Sequence, residues 1–123
     1  MIYECKHFLD TNIYRSFNIL QSLYATFFRN FDKGIKYSKG IYVDNLISDC
    51  ITQMALSYNH KNIKDKLQYA YKCKEDLFIL EIHLKSLFES YRCLAEHQYN
   101  SLCKECGKIE EQLELWIKSK ENL

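Results

Sequence analysis

Apolar residues recur at alternating three- and four-residue spacings in four separate stretches of this sequence. In the last stretch they are Tyr99, Leu102, Cys106, Ile109, Leu113 and Trp116. This spacing puts the side chains on one face of an α-helix, and a helix with one apolar face buries it against a neighbour. No proline occurs in the 123 residues, so no stretch is obliged to break internally. An all-α fold is therefore expected.

We call each of these apolar helix faces a seam, and the other three seams have the same three- and four-residue spacing. They comprise Ile13, Phe17, Leu20, Tyr24, Phe27 and Phe31; then Val43, Leu46, Ile47, Cys50, Met54 and Ala55; then Ile63, Leu67, Ala70, Cys73, Leu77, Leu80, Leu84, Leu87 and Tyr91. With polar N-cap candidates at Asp10, Thr11 and Asn12, the four seams predict helices over about residues 11–31, 40–58, 62–91 and 96–119.

The connections between these helices are short. Residues 32–40 contain two glycines, four charges and little periodicity, which predicts a non-helical link. Short links between long helices favour an antiparallel up-down-up-down four-helix bundle, here a single domain over residues 1–123.

Charge placement bears on location. Charged or amide side chains interrupt every apolar stretch before it reaches the roughly 20 residues that a bilayer crossing needs. Glu4, Lys6, His7 and Asp10 leave no long apolar centre for a secretory signal. We therefore expect a cytoplasmic protein that does not enter a membrane, with its six cysteines as free thiols.

The pattern does not favour an enzyme or a metal protein. Cys103 and Cys106 form a C-x-x-C pair, with Cys93 and His97 upstream, which raises the possibility of zinc. However, Cys106 belongs to a core seam, and structural zinc sites usually take such pairs from turns. No phosphate-binding loop, nucleophile elbow or zinc-protease motif occurs. We predict no catalytic residue, no cofactor and no metal ligand.

Two features of the predicted helices lead to further expectations. Gly107 lies inside the fourth helix, which predicts either a close neighbouring backbone or a kink. Glu110, Glu111, Glu114 and Lys118 fall off the fourth seam and are expected on a solvated face.

Aromatic residues exceed what four seams can bury, since the chain has ten Tyr, seven Phe and one Trp. Several of Phe28, Tyr37, Tyr42, Tyr58, Tyr69, Phe78 and Tyr99 fall off the seams. Exposed apolar patches often mark subunit contacts, so we expect self-association.

Basic residues gather in two groups although the formal net charge is only +1. The first basic group is Arg29, Lys33, Lys36 and Lys39, and the second basic group is Lys61, Lys64, Lys66, Lys72 and Lys74. In the predicted bundle they occupy opposite ends, and both are candidates for binding nucleic acid. The alternative is an ordinary solvated face. Oligomerisation into a ring would repeat each group around one axis and sum its field.

Three segments carry a resemblance to a known family. They are Lys36-Tyr37-Ser38-Lys39-Gly40, Ala95-Glu96-His97-Gln98-Tyr99, and Gly107-Lys108-Ile109 through Leu115-Trp116-Ile117-Lys118-Ser119. Over roughly residues 13–119, the chain resembles the Avd accessory proteins of diversity-generating retroelements. In that family the fourth helix typically carries a glycine, then a tryptophan followed by a basic residue, which Gly107, Trp116 and Lys118 match.

The resemblance implies a non-enzymatic four-helix-bundle protein that forms a ring-like homopentamer. It also implies binding to the element's reverse transcriptase and to its template RNA or cDNA, while that template is copied with adenine-directed errors. Two alternatives stay open: a four-helix-bundle protein of the type encoded in ribosomal RNA intervening sequences, whose role is undefined, and an enzyme or metal protein built on the bundle.

Overall fold

Four long helices make up most of the chain in a computed structural model that describes residues 8–123. They are α1 (Asn12–Phe28), α2 (Ile41–Asn59), α3 (Ile63–Glu89) and α4 (Glu96–Glu121), and the described residues contain no strand. The prediction of an all-α fold is confirmed. The expectations placed on Glu4, Cys5, Lys6 and His7 lie outside the described residues.

The helix ends differ from the predicted ones by at most three residues. Thr11 is the N-cap of α1, and its hydroxyl accepts the Tyr14 N–H at 3.2 Å. The largest difference is at the other end of α1, which stops at Phe28 rather than at residue 31. Phe31 nevertheless remains buried, because a turn brings its ring edge-on to Tyr24 and Phe28, at centroid distances of 6.0 and 5.8 Å.

The predicted non-helical link at residues 32–40 is wrong. A single α-turn (Lys33–Ile35) passes into a π-helical segment (Lys36–Gly40), which continues directly into α2. The Tyr24 hydroxyl of α1 donates to the Gly40 carbonyl at 2.8 Å. A Cβ on Gly40 would lie 2.8 Å from a Phe28 ring carbon, so this glycine permits close packing rather than breaking the helix.

The helices contact one another in a closed cycle: α1 packs on α2, α2 on α3, α3 on α4, and α4 on α1. The centre is filled by the predicted seams. Their largest fully buried members are Phe17, Leu20, Tyr24, Ile47, Met54, Leu77, Leu80, Leu84, Leu87, Leu102, Ile109 and Leu113. Burying each side chain of this kind contributes about 1.5–3 kcal/mol. Four amphipathic helices thus share one core.

Two expectations about single residues are wrong. Tyr91, assigned to the third seam, is 46% exposed because α3 ends at Glu89, before the seam reaches it. Gly107 has no atom within 4 Å of the position of a Cβ, so no neighbouring backbone approaches it closely, and α4 continues through it without a break.

The seven aromatic residues named above as surface candidates divide into two sets. Tyr37, Tyr42 and Phe78 are exposed. The rest are half-buried at the edge of the core, as in the stacks of Phe88 on Tyr99 and of His60 on Tyr69, with ring centroids 4.6 and 4.9 Å apart. The five described cysteines are free, and Cys50, Cys73 and Cys106 are buried as predicted.

Candidate nucleic-acid interface

The first basic group lies where the connections α1–α2 and α3–α4 meet. Arg29 caps the C-terminus of α1, and Lys33 begins the turn that follows. The Lys36 Nζ lies 5.3 Å from the Phe28 ring centroid and donates to the Arg29 carbonyl at 3.5 Å. Lys39 reaches across to α3, where its Nζ contacts His83 Nδ1 and lies 5.8 Å from the Tyr91 ring. These contacts hold all four residues at one end of the bundle.

Among residues 8–123, none of Arg29, Lys33, Lys36 and Lys39 has a carboxylate within ion-pair distance. Burial, together with the neighbouring Lys39 charge, lowers the pKa of His83, so its ring is neutral at pH 7 and can accept a hydrogen bond from the Lys39 ammonium. The four cations therefore lie at the same end of the bundle as the carboxylates of Asp32, Glu89 and Glu96, without an ion pair to them among the described residues.

Exposed aromatic rings accompany these cations. Tyr37 is 65% exposed and Tyr91 is 46% exposed, and both stand beside basic residues. Arg92, next along the chain, is exposed and adopts φ 54°, a left-handed conformation that is unfavourable for residues other than glycine. Cations interleaved with exposed rings can bind single-stranded nucleic acid, because phosphates pair with the cations and bases stack on the rings.

The structure divides the second basic group. Lys61 and Lys64 are exposed at the α2–α3 connection. The Lys72 Nζ lies 3.6 Å from Asp76 Oδ1, and the Lys74 Nζ lies 2.6 Å from Glu114 Oε1 on α4. Two of the five predicted candidates are thus paired with carboxylates. The sequence did not reveal the Lys74 pair, because Glu114 is distant along the chain.

Lys66, the remaining member, takes part in a structural cluster around Trp116. Its Nζ donates to the Tyr58 carbonyl at 2.8 Å and lies 5.5 Å from the indole centroid. The Trp116 Nε1–H donates to the buried Ser57 hydroxyl at 2.9 Å, and the indole stacks on Tyr58 at 5.1 Å. Lys120 lies over the same indole at 4.2 Å. Trp116 therefore fixes the end of α4 against the α2–α3 connection.

The cysteine and histidine candidates do not converge. Cys103 and Cys106 lie one turn apart on α4, Cys106 faces the core, and Cys93 and His97 lie at or before the start of that helix. Within residues 8–123 no three His, Cys, Asp or Glu side chains are grouped so that they could hold a metal ion. Burial raises the pKa of the Cys106 thiol, which makes it a weak nucleophile and a weak ligand.

No family model, curated protein or solved structure matches this chain. None of the helices described from residue 8 onward has both the length and the apolar character that a bilayer crossing requires.

Sequence reasoning missed a groove between α3 and α4. Glu110, which is exposed as expected, and Glu114, whose side chain is 42% exposed, line this groove of about 480 Å³. Glu81 lines the same groove from α3. Burial raises the pKa of Glu81 to about 8, and the neighbouring Glu110 carboxyl group adds to this rise. Only the register of α3 against α4 brings these two acids together.

Proposed function

We propose that this chain is a non-enzymatic accessory protein of a diversity-generating retroelement. In this proposal it forms a cytoplasmic, ring-like homo-oligomer, a pentamer by resemblance, which binds the reverse transcriptase together with its template RNA or cDNA. The polymerase supplies the chemistry, and this chain supplies a scaffold that holds the nucleic acid and the polymerase together.

The observation that carries the proposal is the first basic group, whose cations form no ion pair among residues 8–123, together with the exposed rings beside it. Arg29 and Lys33 are exposed, Lys36 and Lys39 lie against aromatic rings, and Tyr37 projects beside them. In a ring of subunits this positive end would recur around the axis, so the modest net charge of one protomer would add up to a strong local field.

The segments that carry the family resemblance also coincide with packing features of the fold. Residues 36–40 form the π-helical segment that leads into α2, at the close contact of Gly40 with Phe28. Gln98 caps α4 by accepting the Ala95 N–H at 2.9 Å. Trp116 holds the end of α4 through Ser57. This coincidence supports the proposal, because the segments do more than continue a generic helix.

An antiparallel up-down-up-down arrangement is part of the same proposal. The end of α2 meets the start of α3 where the Ser57 hydroxyl donates to the Lys66 carbonyl. Phe88, near the end of α3, stacks on Tyr99, near the start of α4. Gln112, late in α4, donates to Ser16, early in α1, at 3.1 Å. Each pair joins the later part of one helix to the early part of another, which supports opposite directions.

Reconstitution with the reverse transcriptase encoded at the same locus tests the function. We expect a stable complex with this chain, and template-dependent cDNA with errors at template adenines only when this chain is present. Undiminished cDNA synthesis and mutagenesis by the polymerase alone would contradict the proposal. A gene located inside a ribosomal RNA gene, with no adjacent polymerase, would favour the intervening-sequence alternative.

A further inference from the structure

Lys39 differs from the other members of the first basic group in what holds its side chain. Arg29 and Lys33 are exposed, and Lys36 donates a long hydrogen bond of 3.5 Å to a backbone carbonyl. Lys39 is half-buried, and its Nζ lies 2.5 Å from Nδ1 of His83 on α3. The ammonium group of Lys39 is therefore bound by a ring that can change its protonation state near neutral pH.

The surroundings of His83 leave Lys39 as the charged group that acts on it. Tyr42 of α2 packs edge-on against the ring, with centroids 4.8 Å apart. On α3 the residues three and four positions away do not titrate, and they are Ile79, Leu80, Ser86 and Leu87. Of the described residues on α1 and α4, none forms a hydrogen bond, an ion pair or a ring contact with the His83 side chain. Nor does an ion pair join His83 or Lys39 to the carboxylates at this end of the bundle, which are Asp32, Glu89 and Glu96.

The contact between Lys39 and His83 exists only while the ring is neutral. Nδ1 can accept a hydrogen bond from the Lys39 ammonium in the neutral ring, whereas both nitrogens of the protonated ring are donors. Burial, followed by the Lys39 charge, lowers the pKa of His83, so the neutral form is present at pH 7. Protonation of the ring in more acidic solution replaces this hydrogen bond by repulsion between two adjacent cations.

We propose that His83 is a pH-dependent switch for Lys39: the neutral ring holds the ammonium against α3, and the protonated ring releases it to a phosphate of nucleic acid. The imidazolium then adds a second cation beside the same phosphate. The exposed Tyr91 ring, whose centroid lies 5.8 Å from the Lys39 Nζ, offers a stacking surface to the adjoining base. This inference rests on the proposed function, since it states when the first basic group binds nucleic acid most tightly.

Nucleic-acid binding takes up a proton in this scheme. Because the bound phosphate stabilises the imidazolium, the affinity rises as pH falls from about 7 to 5, by at most about tenfold per pH unit. The released Lys39 and the protonated His83 also make up to two new phosphate contacts. The slope of log affinity against log salt should therefore be steeper in acidic solution, by about 0.7 for each contact with a single strand.

The first measurement needs no nucleic acid. NMR follows the titration of the His83 ring signals in the full chain, and His83→Gln assigns them. Lys39→Met removes the ammonium and keeps an apolar stem, so the pKa of His83 should rise towards that of an exposed histidine. Lys36→Met is the matched control, because it removes an ammonium from the same π-helical segment that lies against Phe28 instead. It should leave the pKa of His83 unchanged.

The second measurement is the fluorescence anisotropy of a cyanine-labelled oligouridine, whose bases do not titrate between pH 5.5 and 7.5. At low salt, wild type should bind about tenfold more tightly at pH 5.5 than at pH 7.5, and His83→Gln should lose most of this difference. His97→Gln is the control, because it removes an exposed histidine at the same end of the bundle that does not contact Lys39. It should keep the difference seen in wild type.

The two measurements separate this inference from the proposed function. RNA binding that is equally strong at both pH values would overturn the switch alone. So would equal losses in His83→Gln and His97→Gln, which would reduce the effect to net charge, or a pKa of His83 that Lys39→Met leaves unchanged. The absence of RNA binding by wild type at either pH would overturn this inference together with the proposed function.

Discussion

At the scale of single residues, Gly40 and Gly107 both lie in helical backbone but have opposite surroundings. A Cβ on Gly40 would meet a Phe28 ring carbon at 2.8 Å and the Ile35 carbonyl oxygen at 3.2 Å, whereas a Cβ on Gly107 would meet nothing within 4 Å. We expect Gly107→Ala to raise the free energy of unfolding by about 0.5–1 kcal/mol through helix propensity. Gly40→Ala should lower it by about 1–3 kcal/mol through overpacking.

Urea denaturation of the two variants measures this difference directly. Each variant adds the same methyl group to a helix, so each is the control for the other. Stability changes of the same sign in both would show that the close contact at Gly40 does not decide its effect.

Arg92 is the residue whose backbone is least suited to its side chain. Its φ of 54° costs about 1 kcal/mol for a residue with a Cβ, and glycine would relieve this. We expect Arg92→Gly to stabilise the fold by up to about 1 kcal/mol in thermal denaturation and to weaken RNA binding. Arg92→Lys, which retains both the charge and the Cβ, should leave both properties near wild type. A less stable glycine variant would contradict the attribution of strain to this position.

At the scale of elements, the pairing of α3 with α4 should make stability depend on pH. The pKa of Glu81 is raised from 4.5 to about 8 in the folded state, so between these values the native protein retains a proton that the unfolded chain has released. The free energy of unfolding therefore falls as pH rises through this window and levels off above about 8.

Glu81→Gln removes this contribution. Between pH 5 and 9, the unfolding free energy of this variant should change by about 1 kcal/mol less than that of wild type. The expected difference is this small because solvent screens the half-exposed Glu81 carboxyl group. Glu89→Gln replaces an exposed acid on the same helix, and its unfolding free energy should depend on pH as that of wild type does. Identical pH profiles for wild type and Glu81→Gln would contradict the raised pKa of Glu81.

The faces of these elements could be predicted, but some of their boundaries could not. The three- and four-residue spacing of apolar residues is enough to predict that Leu80, Leu84 and Ile109 are buried, because the buried face of a helix can be recognised from that helix alone. Residues 32–40 were misassigned since Gly34, Gly40 and the charges have the composition of a loop. Helix continues there because Gly40 fits under Phe28 and accepts the Tyr24 hydroxyl, a contact between two helices that periodicity does not encode.

The candidate interface was predictable to a similar degree. Composition located both basic groups, and the first stands at one end of the bundle. Which lysines retain an unneutralised charge depends on how the helices pair: Lys74 is neutralised by Glu114 from α4. The Glu81–Glu110 pair went unpredicted for the same reason, since it requires the register of α3 against α4.

At the scale of the whole molecule, exposed apolar side chains predict self-association. Tyr37, Phe78 and Leu115 are each more than half exposed, and such surface is typical of subunit contacts. Sedimentation equilibrium at micromolar concentration should give a mass well above 14.8 kDa, and about 74 kDa for five copies. A single species at the monomer mass would contradict the ring scaffold.

The most direct measurement of the central claim is the salt dependence of single-stranded RNA binding in two matched charge-reversal variants. Arg29→Glu/Lys33→Glu alters the first basic group, and Lys61→Glu/Lys64→Glu alters exposed lysines of the second, with the same change in net charge.

We predict that the Arg29→Glu/Lys33→Glu variant binds at least about tenfold more weakly at low salt. Its slope of log affinity against log salt should be shallower by about 1.4, as expected for two lost phosphate contacts. Lys61→Glu/Lys64→Glu should keep affinity and slope close to wild type. Equal losses in both variants, or a larger loss at Lys61 and Lys64, would contradict the assignment of RNA binding to the first basic group.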